Sequence, residues 1–228
     1  MLCPRSTYSP KNASSFCKLV DAIHSQGAAA SAELDHGGAL CAPEFLGKTP
    51  AGPSAYVDDW GDEVRAMSEE EIVHAAKMFG QAAANAKHYG FDMVTVHAGH
   101  GWLLAEFLSP LSNHRTDEYG GSLENRAKFP LMVVDRIRQR CGERFLIEYR
   151  MSGSEEIEGG LTQEDGIAFA KLLDGKVDLI HVSAGLDTEE AQAVHTHPTM
   201  FLPHGVNVHY AAAIKAAGVK TPVVTLGG

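Results

Sequence analysis

Hydrophobic positions along the chain follow two alternating patterns, one with helical spacing and one made of short apolar runs. The helical spacing predicts five helices, each followed closely by a glycine, at 12–26, 68–89, 122–140, 162–175 and 207–217. The apolar runs predict strands at 28–34, 91–97, 145–151, 177–183 and 222–226. Residues 35–67 are predicted as a loop, and unstructured connections of that length usually carry function.

The order of helix and then strand, repeated five times, predicts a parallel sheet with right-handed crossovers. Two architectures have this order, an open doubly wound sheet and a (β/α)8 barrel. In both, functional residues lie where the strands end on their carboxyl side. Those positions are 33–36, 97–100, 150–152, 183–185 and 227–228.

Composition and charge limit the kinds of molecule that we expect this protein to bind. The 228 residues carry 19 Lys and Arg against 29 Asp and Glu, which gives a formal net charge of −10. We therefore expect no nucleic acid and no anionic membrane as the main partner, and no apolar run approaches the length of a transmembrane helix. The first residues lack the apolar segment of a secretory signal, and the four cysteines are scattered. These features predict a cytoplasmic protein without a disulfide framework.

Candidate chemistry lies at two of the predicted strand ends. His97 and His100 follow one strand, and two convergent N–H donors can polarise a carbonyl oxygen. Catalytic zinc needs three protein ligands and no third is evident, so we predict no metal site. Arg150 ends another apolar strand, where a guanidinium is costly to bury without an acceptor. A salt bridge from Arg150 to Glu33 or Glu148 is the simpler alternative.

Other sequence signals are weaker. Gly227 and Gly228 follow a strand as a phosphate-binding turn would, although any tight turn uses glycine. The chain contains no GxGxxG, GxxxxGK[ST] or GxSxG motif, so a Rossmann fingerprint, a P-loop and a serine hydrolase elbow are unsupported. His195, His197 and His204 share a loop that we expect on the substrate side or at the surface rather than around a metal.

One long segment carries a resemblance to a known family. Residues 90–142 contain the irregular run FLSPLSNHRTDEYGGSLENR. This segment closely resembles the old yellow enzyme family of FMN-dependent NAD(P)H oxidoreductases, especially the branch with 2,4-dienoyl-CoA reductases and bacterial enone reductases. The runs AELDHGG, IEYRMSGSE, VDLIHVSAG and PVVTLGG resemble its third, fifth, sixth and seventh barrel strands. The resemblance implies that residues 1–228 form one incomplete TIM (β/α)8 barrel domain holding about strands three to seven.

The resemblance also implies roles for individual residues. His97 and His100 match the pair that hydrogen-bonds the substrate carbonyl oxygen. Arg150 matches the arginine beside the flavin N1/O2 edge, where it stabilises the anionic reduced flavin. Gly227 and Gly228 match the start of the loop that holds the FMN phosphate.

Three positions depart from the family pattern. Glu33 stands where a glutamine usually pairs with the flavin pyrimidine, and an ionised carboxylate can only accept hydrogen bonds. Trp102, expected in the substrate site, replaces a tyrosine that protonates the substrate α-carbon in many relatives, and an indole N–H is not a usable acid. Ala39 stands where the family has arginine. Either another group or water therefore gives the proton, or the reaction differs.

The implied reaction is ping-pong. NAD(P)H reduces FMN, the nicotinamide leaves, and an α,β-unsaturated carbonyl compound, an enone or enoyl substrate, then takes up hydride at its β-carbon. An iron–sulfur (4Fe-4S) cluster belongs only to a carboxyl-terminal domain of the dienoyl-CoA reductase branch, beyond these 228 residues. We expect a fragment of a longer enzyme, since five strands cannot close an eight-stranded barrel alone.

Two other functions remain open at this point. The alternative function is that of a structural or binding module, a partial barrel without catalytic activity. Open edges at strands three and seven would favour its association into a homo-oligomer. A hydrolytic metal enzyme built on the histidines is a more distant alternative.

Overall fold

The computed structural model describes residues 12–58, 61–187 and 194–226. Its strands are β1 (Ser31–Leu34), β2 (Ala51–Gly52), β3 (Tyr56–Val57), β4 (Glu63–Ala66), β5 (Met93–Ala98), β6 (Leu146–Ser152), β7 (Leu179–Ser183) and β8 (Val223–Thr225). The α-helices with defined bounds are α1 (Ala13–His24), α2 (Pro43–Leu46), α3 (Glu69–His88), α4 (Leu103–Leu108), α5 (Leu123–Arg126), α6 (Lys128–Cys141), α7 (Gln163–Leu173) and α8 (Val208–Ala216). Every helix and strand predicted from the sequence pattern has a counterpart among these elements.

Strand order separates the two architectures that the sequence pattern left open. The five strands of the main sheet are all parallel and follow the order β1-β5-β6-β7-β8, which is their order along the chain. A doubly wound sheet reverses its strand order at a switch point, whereas a (β/α)8 barrel does not. The observed order is therefore that of consecutive barrel strands.

Two layers enclose the core, with the helices covering one face of the main sheet. Side chains on a strand alternate between faces, and Val96, Tyr149 and Ile180, which are register neighbours, are all fully buried. The ring of Tyr149 meets Phe169 of α7 edge to face, with 5.6 Å between the ring centroids. The alternate residues of β5, β6 and β7 face the opposite, inner side of the sheet, and these are mostly polar.

Capping residues fix where two of the longer helices begin. The Ser68 hydroxyl accepts the backbone N–H of Glu71, and the Glu71 carboxylate accepts the N–H of Ser68, so the capping box expected before α3 is present. Thr162 and Asp165 form the same reciprocal pair at the start of α7. The helix predicted at 122–140 is divided at Ala127 into α5 and α6.

The segment predicted as a loop at 35–67 contains secondary structure of its own. A single 3-10 turn at Gly38–Leu40 and the short helix α2 precede a small sheet with the order β2-β4-β3. Its strands are two to four residues long, too short for a periodic pattern to reveal. This small sheet lies beside α4, close to the carboxyl end of the main sheet.

Candidate active site at the carboxyl end of the sheet

Three polar residues form a row across neighbouring strands. His97 on β5 is the register partner of Arg150 on β6, and Arg150 is the register partner of His181 on β7. The row lies near the carboxyl ends of these strands, the edge where the sequence pattern placed functional residues. The structure thus brings together His97, His100 and Arg150, which the sequence placed on separate segments.

The two histidines lie against each other as neutral hydrogen-bonding groups. Their ring centroids are 5.1 Å apart and the rings are nearly perpendicular. Nδ1 of His97 accepts the backbone N–H of Gly99 at 3.3 Å, so in the neutral ring the proton sits on Nε2. Burial lowers the pKa of His97 to about 3 and that of His100 to about 4, with the nearby Arg150 charge adding to the effect. Both imidazoles are therefore uncharged at neutral pH.

His100 is held in a backbone conformation that few residues adopt. Its φ is +62°, in the left-handed region that costs non-glycine residues about 1 kcal/mol or more. Its backbone N–H donates to the hydroxyl of Ser152 at 3.2 Å, and its Nε2 lies 2.8 Å from the hydroxyl of Ser183. A hydroxyl from β6 therefore holds the backbone of this residue after β5, and a hydroxyl from β7 holds its imidazole.

Trp102 lies beside His97 of the histidine pair. Its ring centroid is 6.1 Å from that of His97, and it stands at the N-terminal boundary of α4. The indole supplies a flat apolar wall at this position and carries no group that ionises near neutral pH.

Arg150 contacts one of the two carboxylates that the sequence offered. Its Nη1 lies 3.4 Å from Glu33 Oε2, and the Arg150 side chain is 18% exposed against 49% for Glu33. The Nε atom is buried and has no hydrogen-bond partner within the described ranges. An ion pair of this length, with one half-exposed partner, contributes little stability. The Nε–H of the guanidinium remains available to donate to an acceptor.

A buried pair next to Arg150 was missed by the sequence analysis as a functional feature. Glu148 Oε1 lies 2.8 Å from Nδ1 of His181, and both side chains are mostly buried. The signal was present in the runs FLIEYRM and VDLIHVS, where polar residues stand at inner-face positions of otherwise apolar strands.

Glu106 was also missed, because it sits inside the apolar helix LLAEFL. Its carboxyl group is buried under the 3-10 turn, where Oε1 accepts the backbone N–H of Ala39 at 2.8 Å. Its Oε2 has no partner among the described residues, and burial raises the pKa of this carboxyl to about 8.

The remaining sequence candidates are two glycines and three loop histidines. Gly227 and Gly228 lie outside the described residues. Within the described ranges no group of three potential metal ligands is found, the loop histidines included. His197 is the loop histidine nearest the cluster by ring contact, with its centroid 6.3 Å from that of His100. No helix in the described part of the chain is long and apolar enough to cross a membrane.

Known relatives cover almost the whole chain. It is 37% identical over 215 residues to an NADH oxidase of Thermoanaerobacter brockii, covering 93% of this chain and 32% of that protein. It is 34% identical over 234 residues to a cinnamate reductase of Clostridium sporogenes, covering 92% of this chain and 34% of that protein. The chain thus spans about a third of the length of each of these two relatives.

Solved structures share the fold. A 2-naphthoyl-CoA reductase complex matches 95% of this chain and 35% of its own, with a TM-score of 0.87 and 31% identity. An old yellow enzyme homologue from Zymomonas mobilis matches 97% of this chain and 63% of its own, with a TM-score of 0.79 and 25% identity. The predicted incomplete (β/α)8 barrel is confirmed.

Family membership follows from a match over nearly the full length. The model of the NADH:flavin oxidoreductase / NADH oxidase family, whose defining flavin is FMN, matches residues 5–228. The old yellow enzyme resemblance and the predicted FMN and NAD(P)H cofactors are confirmed at the level of that family. This chain belongs to the NADH:flavin oxidoreductase / NADH oxidase family.

Proposed function

We propose that the protein is an FMN-dependent NAD(P)H oxidoreductase that reduces the C=C bond of α,β-unsaturated carbonyl compounds. The observation that carries the proposal is the neutral pair His97 and His100 beside the guanidinium of Arg150. Two uncharged donors next to a fixed cation suit a carbonyl oxygen that gains negative charge above an electron-rich ring.

The residues present fit the cofactor. Arg150 keeps a buried Nε–H without a partner among the described residues, which suits an acceptor such as the flavin N1/O2 edge. Glu33, half exposed beside it, can accept the flavin N3–H. Gly227 and Gly228 are proposed to hold the phosphate. When bound, FMN supplies transfer of hydride from NAD(P)H to the β-carbon of the acceptor.

The substrate oxygen is proposed to bind between the two imidazoles. His97 offers Nε2–H, because its Nδ1 is occupied by Gly99. Ser183 and Ser152 orient His100, so its ring needs no rearrangement as charge develops. Removing one such donor typically costs about 10²- to 10³-fold in kcat.

The α-carbon proton cannot come from Trp102. An indole N–H does not ionise near neutral pH, so Trp102 is proposed to form an apolar wall of the substrate site. Water or another group supplies the proton. The cinnamate reductase and 2-naphthoyl-CoA reductase among the relatives support a small conjugated acyl substrate.

The proposal extends to the domain organisation of the chain and to its association. Residues 1–228 belong to one barrel domain, and the outer edges of β1 and β8 favour association with further strands or a second copy.

The test is an absorbance spectrum of the full protein with added FMN, followed by anaerobic turnover of NADH or NADPH with 2-cyclohexenone and cinnamate. We expect a yellow protein, and loss of at least tenfold in kcat for enone reduction in His97→Ala and His100→Ala. A folded protein that takes up no FMN would contradict the proposal and favour a non-catalytic binding module. FMN binding with equal turnover in both variants would contradict the roles of the histidines.

A further inference from the structure

Hydrogen bonds link four strands across the inner face of the main sheet. Ser31 Oγ on β1 lies 2.9 Å from Thr95 Oγ1 on β5, and the Thr95 hydroxyl donates to Glu148 Oε2 on β6. Glu148 Oε1 in turn meets Nδ1 of His181 on β7. Because the single Thr95 proton goes to Glu148, the Ser31 hydroxyl must donate to Thr95.

Glu148 is the charged member of this series of hydrogen bonds. The hydrogen bond from His181 lowers the pKa of the Glu148 carboxyl, and attraction to Arg150 adds to the effect, so Glu148 is ionised at neutral pH. An ionised carboxylate only accepts, which places a proton on Nδ1 of His181. Nε2 of His181 is left for another partner.

Two nitrogens without partners belong to neighbouring residues on this face of the sheet. Arg150 and His181 are register partners on adjacent strands. Arg150 Nε and His181 Nε2 are both buried and have no hydrogen-bond partner in the part of the chain that the structure describes. A buried polar atom without a partner is destabilising, so these two atoms suit the polar groups of a ligand bound at this face of the sheet.

Arg150 is therefore flanked by two carboxylates. Glu33 lies on its β1 side at 3.4 Å, and Glu148 lies two residues before it on β6, facing the same side of the sheet. Two carboxylates, those of Glu33 and Glu148, therefore lie around the one guanidinium of Arg150. An arginine in such a setting stabilises an adjacent anion less than an arginine without carboxylate neighbours does.

We propose that Glu148 and His181 are positioning residues of the cofactor site, which reduce the preference of Arg150 for the anionic reduced form of FMN and add Nε2 of His181 to the contacts of the pyrimidine edge. The proposal rests on FMN binding as proposed above. Glu148 acts through Arg150 by charge, and His181 acts through its free nitrogen.

A purely structural role is the competing explanation. A buried ion pair that only ties β6 to β7 would, when broken, lower the stability of the protein and weaken the binding of oxidised and reduced FMN equally. A charge effect on the cofactor instead changes the ratio of the two dissociation constants. That ratio therefore separates the two explanations.

The experiment uses the full protein and titrates it anaerobically with oxidised FMN and with dithionite-reduced FMN. Glu148→Gln keeps the size of the side chain and removes its charge. We expect the ratio of Kd for oxidised FMN to Kd for reduced FMN to rise roughly tenfold or more, as removal of a unit charge a few ångströms away predicts. Glu143→Gln is the matched control, because Glu143 is exposed before the amino end of the same strand.

A second variant tests the histidine and keeps the proposal falsifiable if Glu148→Gln does not fold. The amide of His181→Asn can still donate to Glu148 but has no atom at the position of Nε2. We expect its Kd for FMN to rise by roughly three- to tenfold in both redox states, the effect of one lost hydrogen bond.

The outcomes are distinguishable. A changed ratio in Glu148→Gln with no change in Glu143→Gln supports the proposal. Folded variants with wild-type constants, or equal weakening of both redox states in Glu148→Gln, would overturn it. Wild-type protein that binds no FMN would overturn the proposed function and this inference together.

Discussion

The carboxyl group of Glu106 occupies the space that a side chain at Gly38 would need. A Cβ at Gly38 would lie 2.4 Å from Oε2 of Glu106 and 2.6 Å from its Oε1. The backbone at Gly38 has a φ of +58°, and the N–H of the next residue, Ala39, donates to the same carboxyl group. A helix after β5 therefore fixes the turn after β1, at the rim of the candidate site.

Gly38→Ala is expected to be more destabilising than its backbone conformation alone explains. Gly47 offers a matched control, because its φ of +65° is similar but no atom of the described residues lies within 4 Å of its Cβ position. We expect Gly47→Ala to lower the free energy of unfolding by about 1 kcal/mol. Gly38→Ala should lower it by a further 1–3 kcal/mol, the usual range for overpacking. Urea unfolding checks both, and equal losses would contradict the contact with Glu106.

Glu106 should make stability depend on pH in a particular direction. Burial raises its pKa to about 8 from the 4.5 of an exposed glutamate, so the folded protein holds a proton that the unfolded chain releases. The contribution of Glu106 to stability is then largest below about pH 4.5, decreases as pH rises towards 8, and is constant above it, with a change of at most about 5 kcal/mol.

Glu106→Gln should remove this dependence. We expect the variant to be more stable than the wild type at pH 9 and close to it at pH 4, as measured by urea unfolding at each pH. The exposed Glu143→Gln serves as the control for a change in net charge. A difference between wild type and Glu106→Gln that stays constant from pH 4 to pH 9 would show that the carboxyl is ionised throughout.

The histidine pair should make the folded protein less stable as the pH falls into the acid range. Burial lowers the pKa values of His97 and His100 to about 3 and 4, below the 6.5 of the unfolded chain. The unfolded chain therefore takes up protons first, and stability is lost as pH falls below about 6.5, by about 1.4 kcal/mol per pH unit for each histidine.

Replacement of the pair measures that proton uptake. We expect His97→Gln and His100→Gln each to flatten the dependence of unfolding free energy on pH between 6 and 4, and the double variant to remove about two protons from the slope. An unchanged slope in all three variants would mean that the imidazoles are already protonated in the folded protein.

Sequence alone located the strand ends but not the side chains that meet across them. His97, His100 and Arg150 could be chosen because a polar residue after an apolar strand is conspicuous. The pairing of Glu148 with His181 depends on the register of β6 against β7, which no single segment encodes. Strand order likewise needed the structure, since helix–strand alternation is common to barrels and doubly wound sheets.

Local patterns failed where elements are short or are shaped by distant contacts. The strands of the small sheet have two to four residues, so no periodicity could mark them in the segment 35–67. Glu106 stands in an apolar helix and is buried by the turn at Gly38–Leu40, a contact across 67 positions in sequence. Both features owe their position to tertiary packing rather than to local propensity.

Trp102 gives the sharpest test of how the substrate receives its proton. Its ring lies 6.1 Å from that of His97, so a phenol at this position would stand next to the proposed carbonyl site. We expect Trp102→Tyr to raise the rate of enone reduction by the reduced protein, since a positioned general acid typically contributes about 10²- to 10⁴-fold. Trp102→Phe is the control that changes the ring without adding an acid, and it should show no such gain. Stopped-flow reoxidation with 2-cyclohexenone measures the step, and equal rates in the two variants would mean that proton delivery does not limit it.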